Sequence, residues 1–154
     1  MIPDKAKILV IDDDPDIRFT MAELLSAEGY HVDAAETGKE AIRKTEEKWY
    51  NVALVDINLP DINGVELLTK LKDGAPKMRK IIVTGFPTLP NAIQAVNNQA
   101  NAYLIKPVEI PQMLETIKDQ LEKQASEKTF DEVKIGEFMQ NRAREFLQGK
   151  QRNL

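Results

Sequence analysis

Short apolar runs, separated by longer amphipathic segments, recur along the first two thirds of the chain. The runs are continuous rather than alternating, which is typical of strands covered on both faces of a sheet. Helical segments lie between them, and this regular alternation predicts an α/β fold with a parallel sheet and right-handed crossovers. The five predicted strands are Lys7–Asp12, His31–Ala35, Val52–Ile57, Lys80–Gly85 and Ala102–Lys106.

The predicted helices have recognisable start and stop residues. Pro15 suits the first turn of the first helix, Asp14 before it is interpreted as a cap, and Gly29 is placed to end that helix as a C′ residue. Thr37 is the predicted N-cap of a second helix, Gly38 to Lys48. Three more helices are predicted, one from near Gly64 with Val65, Leu67, Leu68 and Leu71, one at Leu89–Asn98 and one at Ile110–Ser126.

Polar residues collect at the carboxyl ends of the predicted strands, where ligands bind in open parallel sheets. They are Asp12, Asp13, Asp56, Thr84 and Lys106. Three neighbouring carboxylates repel one another, so they imply a bound cation. Oxygen ligands suit Mg²⁺ or Mn²⁺ rather than zinc, and Mg²⁺ commonly shares its coordination sphere with a phosphate. A lysine and a hydroxyl facing a metal-bound carboxylate favour a site for phosphoryl oxygens.

Composition narrows the class of protein. At 154 residues the chain is predicted to be chiefly one domain, and its net charge of -4 argues against a nucleic-acid-binding surface. The absence of cysteine excludes a disulfide framework, a thiolate zinc site and a cysteine nucleophile. No apolar run approaches the roughly 20 residues of a membrane span, and the first strand begins too early for a signal peptide. These features predict a soluble, cytoplasmic protein with no membrane partner.

Four motifs together resemble the receiver domain of two-component response regulators, over about Lys5 to Lys123. They are ILVIDDDP, LVDINLPDINGVELL, IIVTGFP and AYLIKP. Each motif alone is weak, whereas their order and their placement on strand ends are specific. The resemblance implies a flavodoxin-like, doubly wound, five-stranded parallel sheet of order 2-1-3-4-5 with five flanking helices. It places the receiver domain at 1–124 and leaves 125–154 as a C-terminal helical tail without a separate DNA-binding domain.

The resemblance also implies roles for the residues at the strand ends. Asp56 is the nucleophile that takes a phosphoryl group from a phosphohistidine of a sensor histidine kinase or a histidine phosphotransfer protein. Asp12 and Asp13 bind Mg²⁺, for which Mn²⁺ can substitute. Asp56 and the backbone carbonyl of Asn58 complete the protein ligands.

The resemblance implies a signalling switch rather than an enzyme. Such a switch catalyses its own phosphorylation and dephosphorylation, and the remaining residues have roles in it. Lys106 pairs with Asp56 at rest and with a phosphoryl oxygen afterwards. Thr84 moves its hydroxyl toward the phosphoryl group, and Tyr103 either rotates inward behind it or is ordinary core. The rotation reshapes the face of helix four, strand five and helix five, which contacts a downstream protein or a second copy of the chain.

Five further residues need separate interpretation. Gln99 stands where the family often has a glycine, so the end of the fourth helix is expected to be reshaped. Asp61 and Gly64 fit a loop and a helix start better than any chemistry. Phe86 and Asn58 flank the expected phosphate and are placed to position or screen the water that hydrolyses it.

The tail at 125–154 changes character, with no strand-like run. Two interpretations stay open. In one, the tail packs on its own domain. In the other, it is a homodimerisation or partner-docking helix whose exposure depends on phosphorylation of Asp56. Its apolar residues suggest a partly amphipathic helix interrupted near Gly136, and they are Phe130, Val133, Phe138, Met139, Phe146 and Leu147.

Three other functions compete with the isolated signalling receiver. A receiver module cut from a larger hybrid kinase or regulator fits the same motifs. An aspartyl-nucleophile phosphatase is disfavoured, because that class needs an acid two residues after the nucleophile and the chain has Asn58 there. A transcription factor is disfavoured by the acidic chain and by a tail too short for a helix-turn-helix domain.

Overall fold

The computed structural model describes the backbone of residues 6–152 and the side chains of 6–127 and 132–149. Five parallel strands form one sheet in the order β2-β1-β3-β4-β5, which confirms the predicted fold class. Most strands end one residue before the predicted boundary, where the chain turns out of the sheet. The strands are β1 Lys7–Ile11, β2 His31–Ala35, β3 Val52–Asp56, β4 Arg79–Thr84 and β5 Ala102–Ile105.

Five helices flank the sheet in the described part of the chain. The predicted caps of the first two are confirmed: Asp14 accepts hydrogen bonds at the start of α1 and Thr37 at the start of α2, while Gly29 has the positive φ of 96° expected of a C′ residue. The third helix is only one turn, shorter than its apolar residues suggest. The helices are α1 Pro15–Ala27, α2 Gly38–Glu47, α3 Gly64–Leu67, α4 Leu89–Asn97 and α5 Ile110–Arg152.

Core residues cover both faces of the sheet, which explains why the strands are continuous apolar runs. Successive strand residues point to opposite faces, so each strand contributes to two clusters. One cluster includes Leu9, Ile11, Val55 and Ile82 from the strands together with Leu67 and Leu68. The other includes Ile8, Val10, Leu54 and Ile81 from the strands, with Leu25 of α1 and Met113, Ile117 and Leu121 of α5.

The end of α4 keeps a left-handed C-cap without glycine. Gln99 has φ 71°, its N–H donates to the carbonyl of Val96 at 3.1 Å, and the N–H of Ala100 donates to the carbonyl of Ala95 at 2.8 Å. These are the two bonds of a Schellman motif. The expectation that Gln99 reshapes this helix end is therefore wrong, because the two bonds hold glutamine in a conformation that costs about 1–2 kcal/mol for an L-residue.

A buried pair of amides, the basal clamp of Asn51 and Gln124, fixes α5 to the sheet at the end opposite the predicted site. Asn51 Nδ2 donates to Gln124 Oε1 at 2.9 Å, and Gln124 Nε2 donates to the carbonyls of Asn51 and Lys77 at 3.0 and 2.9 Å. Asn51 Oδ1 accepts from the N–H of Lys7 at 2.9 Å. The clamp therefore joins α5 to the segments that lead into β1, β3 and β4.

Helix α5 continues well beyond the domain. It runs without a break for 43 residues, so the predicted end at Ser126 and the predicted interruption near Gly136 are both wrong. A helical glycine costs only about 1 kcal/mol relative to alanine, which the neighbouring helix-forming residues offset. Every side chain described from Glu132 to Gly149 is exposed, so this part does not pack on its own domain. Phe130 lies outside the described side chains.

Length alone does not make α5 a membrane helix. Among the described residues, no helix is both long and apolar enough to cross a membrane.

Candidate functional site

Two neighbouring strands bring three carboxylates together at one edge of the sheet. Asp12 and Asp13 follow β1, Asp56 ends β3, and β1 pairs directly with β3. One carboxylate oxygen from each of the three lies within 4.8 Å of the others. Asp12 and Asp56 are buried, at 2% and 6% exposure, whereas Asp13 is exposed. The predicted acidic cluster is therefore formed by the fold, with one member open to solvent.

Lys106, which follows β5, reaches across to this cluster. Its Nζ lies 2.8 Å from Asp12 Oδ2 and 3.4 Å from Asp56 Oδ2. The sequence led us to expect Asp56 as the resting partner of Lys106. The structure shows ion pairs with both carboxylates, and the shorter one is with Asp12.

The electrostatics of the cluster favour a further cation. Burial, and secondly the charge of Asp12, raise the pKa of Asp56, although Lys106 and the N–H of Asn58 act in the opposite direction. Burial alone would lower the pKa of Lys106. The hydrogen bonds and negative charges of Asp12 and Asp56 outweigh burial and raise this pKa above its usual value. Lys106 thus forms ion pairs with two of the three clustered carboxylates, Asp12 and Asp56. The all-oxygen donor set and this excess of negative charge fit a hard divalent cation such as Mg²⁺.

Asp12 is held by more groups than the sequence indicated. Its Oδ1 accepts from the N–H of Asp14 at 2.9 Å, and its backbone carbonyl accepts from Arg18 Nη1 at 2.8 Å. Arg18 was missed by the sequence reasoning, although its position one turn after Asp14 on α1 directs it back to the strand end. Asp14 itself accepts from the N–H groups of Asp16 and Ile17, which confirms its interpretation as a helix cap.

The two predicted switch residues lie on neighbouring strands β4 and β5. Thr84 is fully buried, and its Oγ1 accepts from the N–H of Phe86 at 3.1 Å, while the Phe86 ring is 74% exposed. Tyr103 is half-buried and packs against the core. Its hydroxyl is buried and has no hydrogen-bond partner among the described residues, and burial raises its pKa.

The loop after β3 depends on a close backbone approach at Gly64. A Cβ at this position would lie 2.0 Å from the carbonyl oxygen of Asp56, and the N–H of Gly64 donates to the carbonyl of Ile57 at 2.7 Å. Asn58 donates its N–H to Asp56 Oδ1 at 3.3 Å. Sequence reasoning treated Gly64 only as a helix start. It also shapes the backbone that carries Asp56.

Asp61, in the same loop, serves the fold. Its carboxylate accepts from the N–H groups of Gly38 and Lys39, both at 2.9 Å, and these bonds lower its pKa. It therefore caps α2 from across the loop, in keeping with its interpretation as a loop residue.

Comparison with known families identifies the class. The family model described as "Response regulator receiver domain" matches residues 8–118. The chain therefore belongs to the response regulator receiver family and is a receiver domain, a signalling switch of two-component systems, followed by a helical extension.

Relatives and solved structures agree with this assignment. The chain is 31% identical over 121 residues to the transcriptional regulatory protein ZraR of Klebsiella oxytoca, covering 79% of this chain and 27% of that protein. It is 31% identical over 136 residues to the uncharacterized transcriptional regulatory protein YkoG of Bacillus subtilis, covering 88% of this chain and 58% of that protein. The chain thus spans about a quarter of the length of ZraR.

Two solved structures are informative. A CheY-like receiver domain protein from Methanospirillum hungatei superposes with a TM-score of 0.76 at 43% identity, covering 79% of this chain and 98% of that one. A response regulator from Burkholderia pseudomallei, solved with a phosphorylated aspartic acid, calcium ion and citrate, gives 0.69 at 28% identity, covering 82% of this chain and 74% of that one.

Proposed function

We propose that Asp56 accepts a phosphoryl group from a phosphohistidine of a sensor histidine kinase or a histidine phosphotransfer protein. The observation that carries the proposal is the convergence of Asp12, Asp13, Asp56 and Lys106 at one sheet edge. One oxygen from each carboxylate lies within 4.8 Å of the others, and Lys106 forms ion pairs with Asp12 and Asp56. The phosphorylated aspartic acid and calcium ion in the Burkholderia pseudomallei structure support it, since they belong to a relative of the same fold.

The proposed transfer is an in-line displacement at phosphorus. A carboxylate oxygen of Asp56 forms the new P–O bond, the P–N bond to the donor imidazole breaks, and the imidazole keeps the bonding electron pair and takes up a proton. Asp12 and Asp13, with Asp56 and the carbonyl of Asn58, would hold Mg²⁺. When bound, the ion supplies charge neutralisation for the phosphoryl oxygens.

Lys106 has two tasks in this scheme. Beside Asp56 it favours the ionised carboxylate, which is the nucleophilic form. After transfer its ammonium faces a phosphoryl oxygen and stabilises the added charge, the preorganised arrangement typical of phosphoryl transfer. The same groups admit a water for hydrolysis of the acyl phosphate, so we propose that the chain catalyses both its phosphorylation and its dephosphorylation.

The output is proposed to run through Thr84 and Tyr103 to the surface formed by α4, β5 and α5. The phosphoryl group offers a new acceptor to the Thr84 hydroxyl. The Tyr103 hydroxyl has no hydrogen-bond partner among the described residues, so no hydrogen bond to them has to break for the ring to rotate. The surface already carries apolar side chains for a downstream protein partner. Its exposed members are Leu89, Ile93 and Val96 of α4 and Ile105 of β5.

The chain matches only the receiver part of longer transcriptional regulators, with 27% of ZraR covered. We propose that its output is a protein contact rather than a nucleic-acid contact, because its net charge is -4. A receiver module within a larger regulator would use the same site and the same surface.

Intact-mass measurement tests the proposal. Incubation of the chain with Mg²⁺ and a small acyl phosphate or phosphoramidate should add the mass of one phosphoryl group, labile to hydroxylamine. Asp56→Asn should abolish the adduct. Asp61→Asn is the matched control, since Asp61 caps α2 away from the acidic cluster, and it should keep the adduct. A wild-type chain that gains no mass, or an Asp56→Asn chain that still does, would contradict the proposal.

A further inference from the structure

The face of α5 that packs on the sheet continues past the domain as an exposed stripe. Eighteen residues are five turns of helix at about 3.6 residues per turn, so residues separated by 18 point the same way. Adding 18 to the sheet-facing residues Ile117, Gln120, Leu121 and Gln124 gives Ile135, Phe138, Met139 and Arg142. These four with Phe146, one turn further, are called the extension stripe. Its apolar members are all at least 60% exposed.

We propose that the extension stripe binds the same stripe of a second copy of this chain, with the two helices antiparallel. The proposal is independent of the phosphoryl chemistry proposed above. It concerns residues 128–152, a length of about 37 Å in an α-helix.

The position of the domain excludes a parallel pair of straight helices. Over Met113–Gln124 the side of α5 in line with the extension stripe is covered by the sheet. In a parallel pair each domain would lie on the partner-facing side of its own helix and at the same height, so the two domains would overlap. In an antiparallel pair centred near residue 140, the domains lie at opposite ends and each stripe is open to the other.

Charge favours the same orientation. In the sequence, the first half of the extension holds three of its four acids and the second half holds four of its six basic residues. Antiparallel pairing places the acidic half of each helix against the basic half of the other, whereas parallel pairing places Arg142 against Arg142. Arg142 also lies over the Phe138 ring of its own helix, 5.5 Å from the centroid, and the antiparallel alignment brings it level with Phe138 of the second copy.

The size of the stripe predicts weak association. Four apolar side chains per copy, two of them aromatic, give an interface on the order of 1,000 Å², at the lower end for specific contacts. The dimer should therefore form reversibly with concentration.

Sedimentation of the full chain over about 5–500 µM, a range suited to a small interface, should show a monomer–dimer equilibrium. Ile135→Glu should weaken dimerisation at least about tenfold. Val133→Glu is the matched control, since Val133 is similarly exposed but lies about 200° around the helix from Ile135. It should change the dimer constant by less than about twofold. A chain that stays monomeric throughout, or equal effects of the two substitutions, would overturn the proposal.

Orientation can be read by cross-linking, because the native sequence has no cysteine. A mixture of Ile135→Cys and Phe146→Cys chains should form a disulfide under mild oxidation. Each variant alone should not, since the antiparallel helices would hold its two thiols about 16 Å apart along the axis, too far for the bond. Self-linking of Ile135→Cys without linking in the mixture would show parallel pairing and overturn the proposal.

Discussion

Replacing Gln124 with methionine tests how strongly the basal clamp holds α5. The side chain is buried and makes three hydrogen bonds, two donated from Nε2 and one accepted at Oε1 from Asn51 Nδ2. Methionine keeps the length and the apolar stem of glutamine but removes all three. Asn51 is itself buried, so its Nδ2 would lose the one hydrogen-bond acceptor that the described residues provide for it.

The magnitude follows from that stranded donor. A buried polar group left without a partner costs about 1–3 kcal/mol, and the two carbonyls that accept from Gln124 lose part of their bonding as well. We expect Gln124→Met to lower the free energy of unfolding by about 2–3 kcal/mol. For a chain of this size that is a fall in Tm of about 4–12 °C.

The same substitution one turn earlier is the control. Gln120 is equally buried, but it makes one long bond, 3.3 Å from Nε2 to the carbonyl of Asn101, and its Oε1 has no partner among the described side chains. Gln120→Met should therefore cost less than about 1 kcal/mol in urea or thermal unfolding. Equal losses for the two variants would refute the reasoning, because they would show that burial rather than hydrogen bonding decides the stability at both positions.

Gln99→Gly should raise the free energy of unfolding by about 1 kcal/mol, because it relieves an L-residue of its left-handed φ; Gln99→Ala, measured beside it in urea, should give no such gain. Tyr50→Phe should cost about 1 kcal/mol at neutral pH, since it removes a 2.6 Å bond to Asp33. That bond lowers the pKa of Asp33, so its contribution to stability is present above the unfolded pKa and is lost as the pH falls below about 4. Urea titrations across that range should show the free energies of unfolding of the variant and the wild type converging. A difference that stays constant with pH would contradict the prediction. Phe86→Ala should shorten the lifetime of the acyl phosphate at least about twofold by admitting water, as followed by loss of the adduct mass, and an unchanged rate would contradict the screening role.

The pattern of apolar runs predicted the sheet because both of its faces are covered. A strand that is buried on both faces needs an uninterrupted run of apolar residues, and such a run is visible in the local sequence. Ile8 to Ile11 and Val52 to Val55 are examples. The site followed from a general property of parallel sheets, since residues at strand ends meet at one edge whatever the loops do. Asp12, Asp56 and Lys106 were therefore predictable as neighbours.

What the sequence did not reveal depends on contacts between distant segments. In the sequence, Gln124 looks like a polar interruption of an amphipathic helix. Its partner Asn51 lies 73 positions away along the chain and contacts it only in the folded structure. Gly64 reads as a turn residue until the carbonyl of Asp56 is seen where its Cβ would be. The length of α5 was underestimated because the sequence changes character in the tail and Gly136 suggested an interruption, whereas a helix tolerates a single glycine at a cost of about 1 kcal/mol.

Helix α5 is fixed to the sheet at the basal clamp and projects from the domain beyond it, so it can act as a lever arm. From Gln124 to Arg152 the helix extends about 42 Å. A tilt of about 10° at the basal clamp would therefore carry its tip roughly 7 Å, a distance larger than one helical turn. A rearrangement too small to notice within the sheet becomes, at the far end of this helix, large enough to change what the chain can touch.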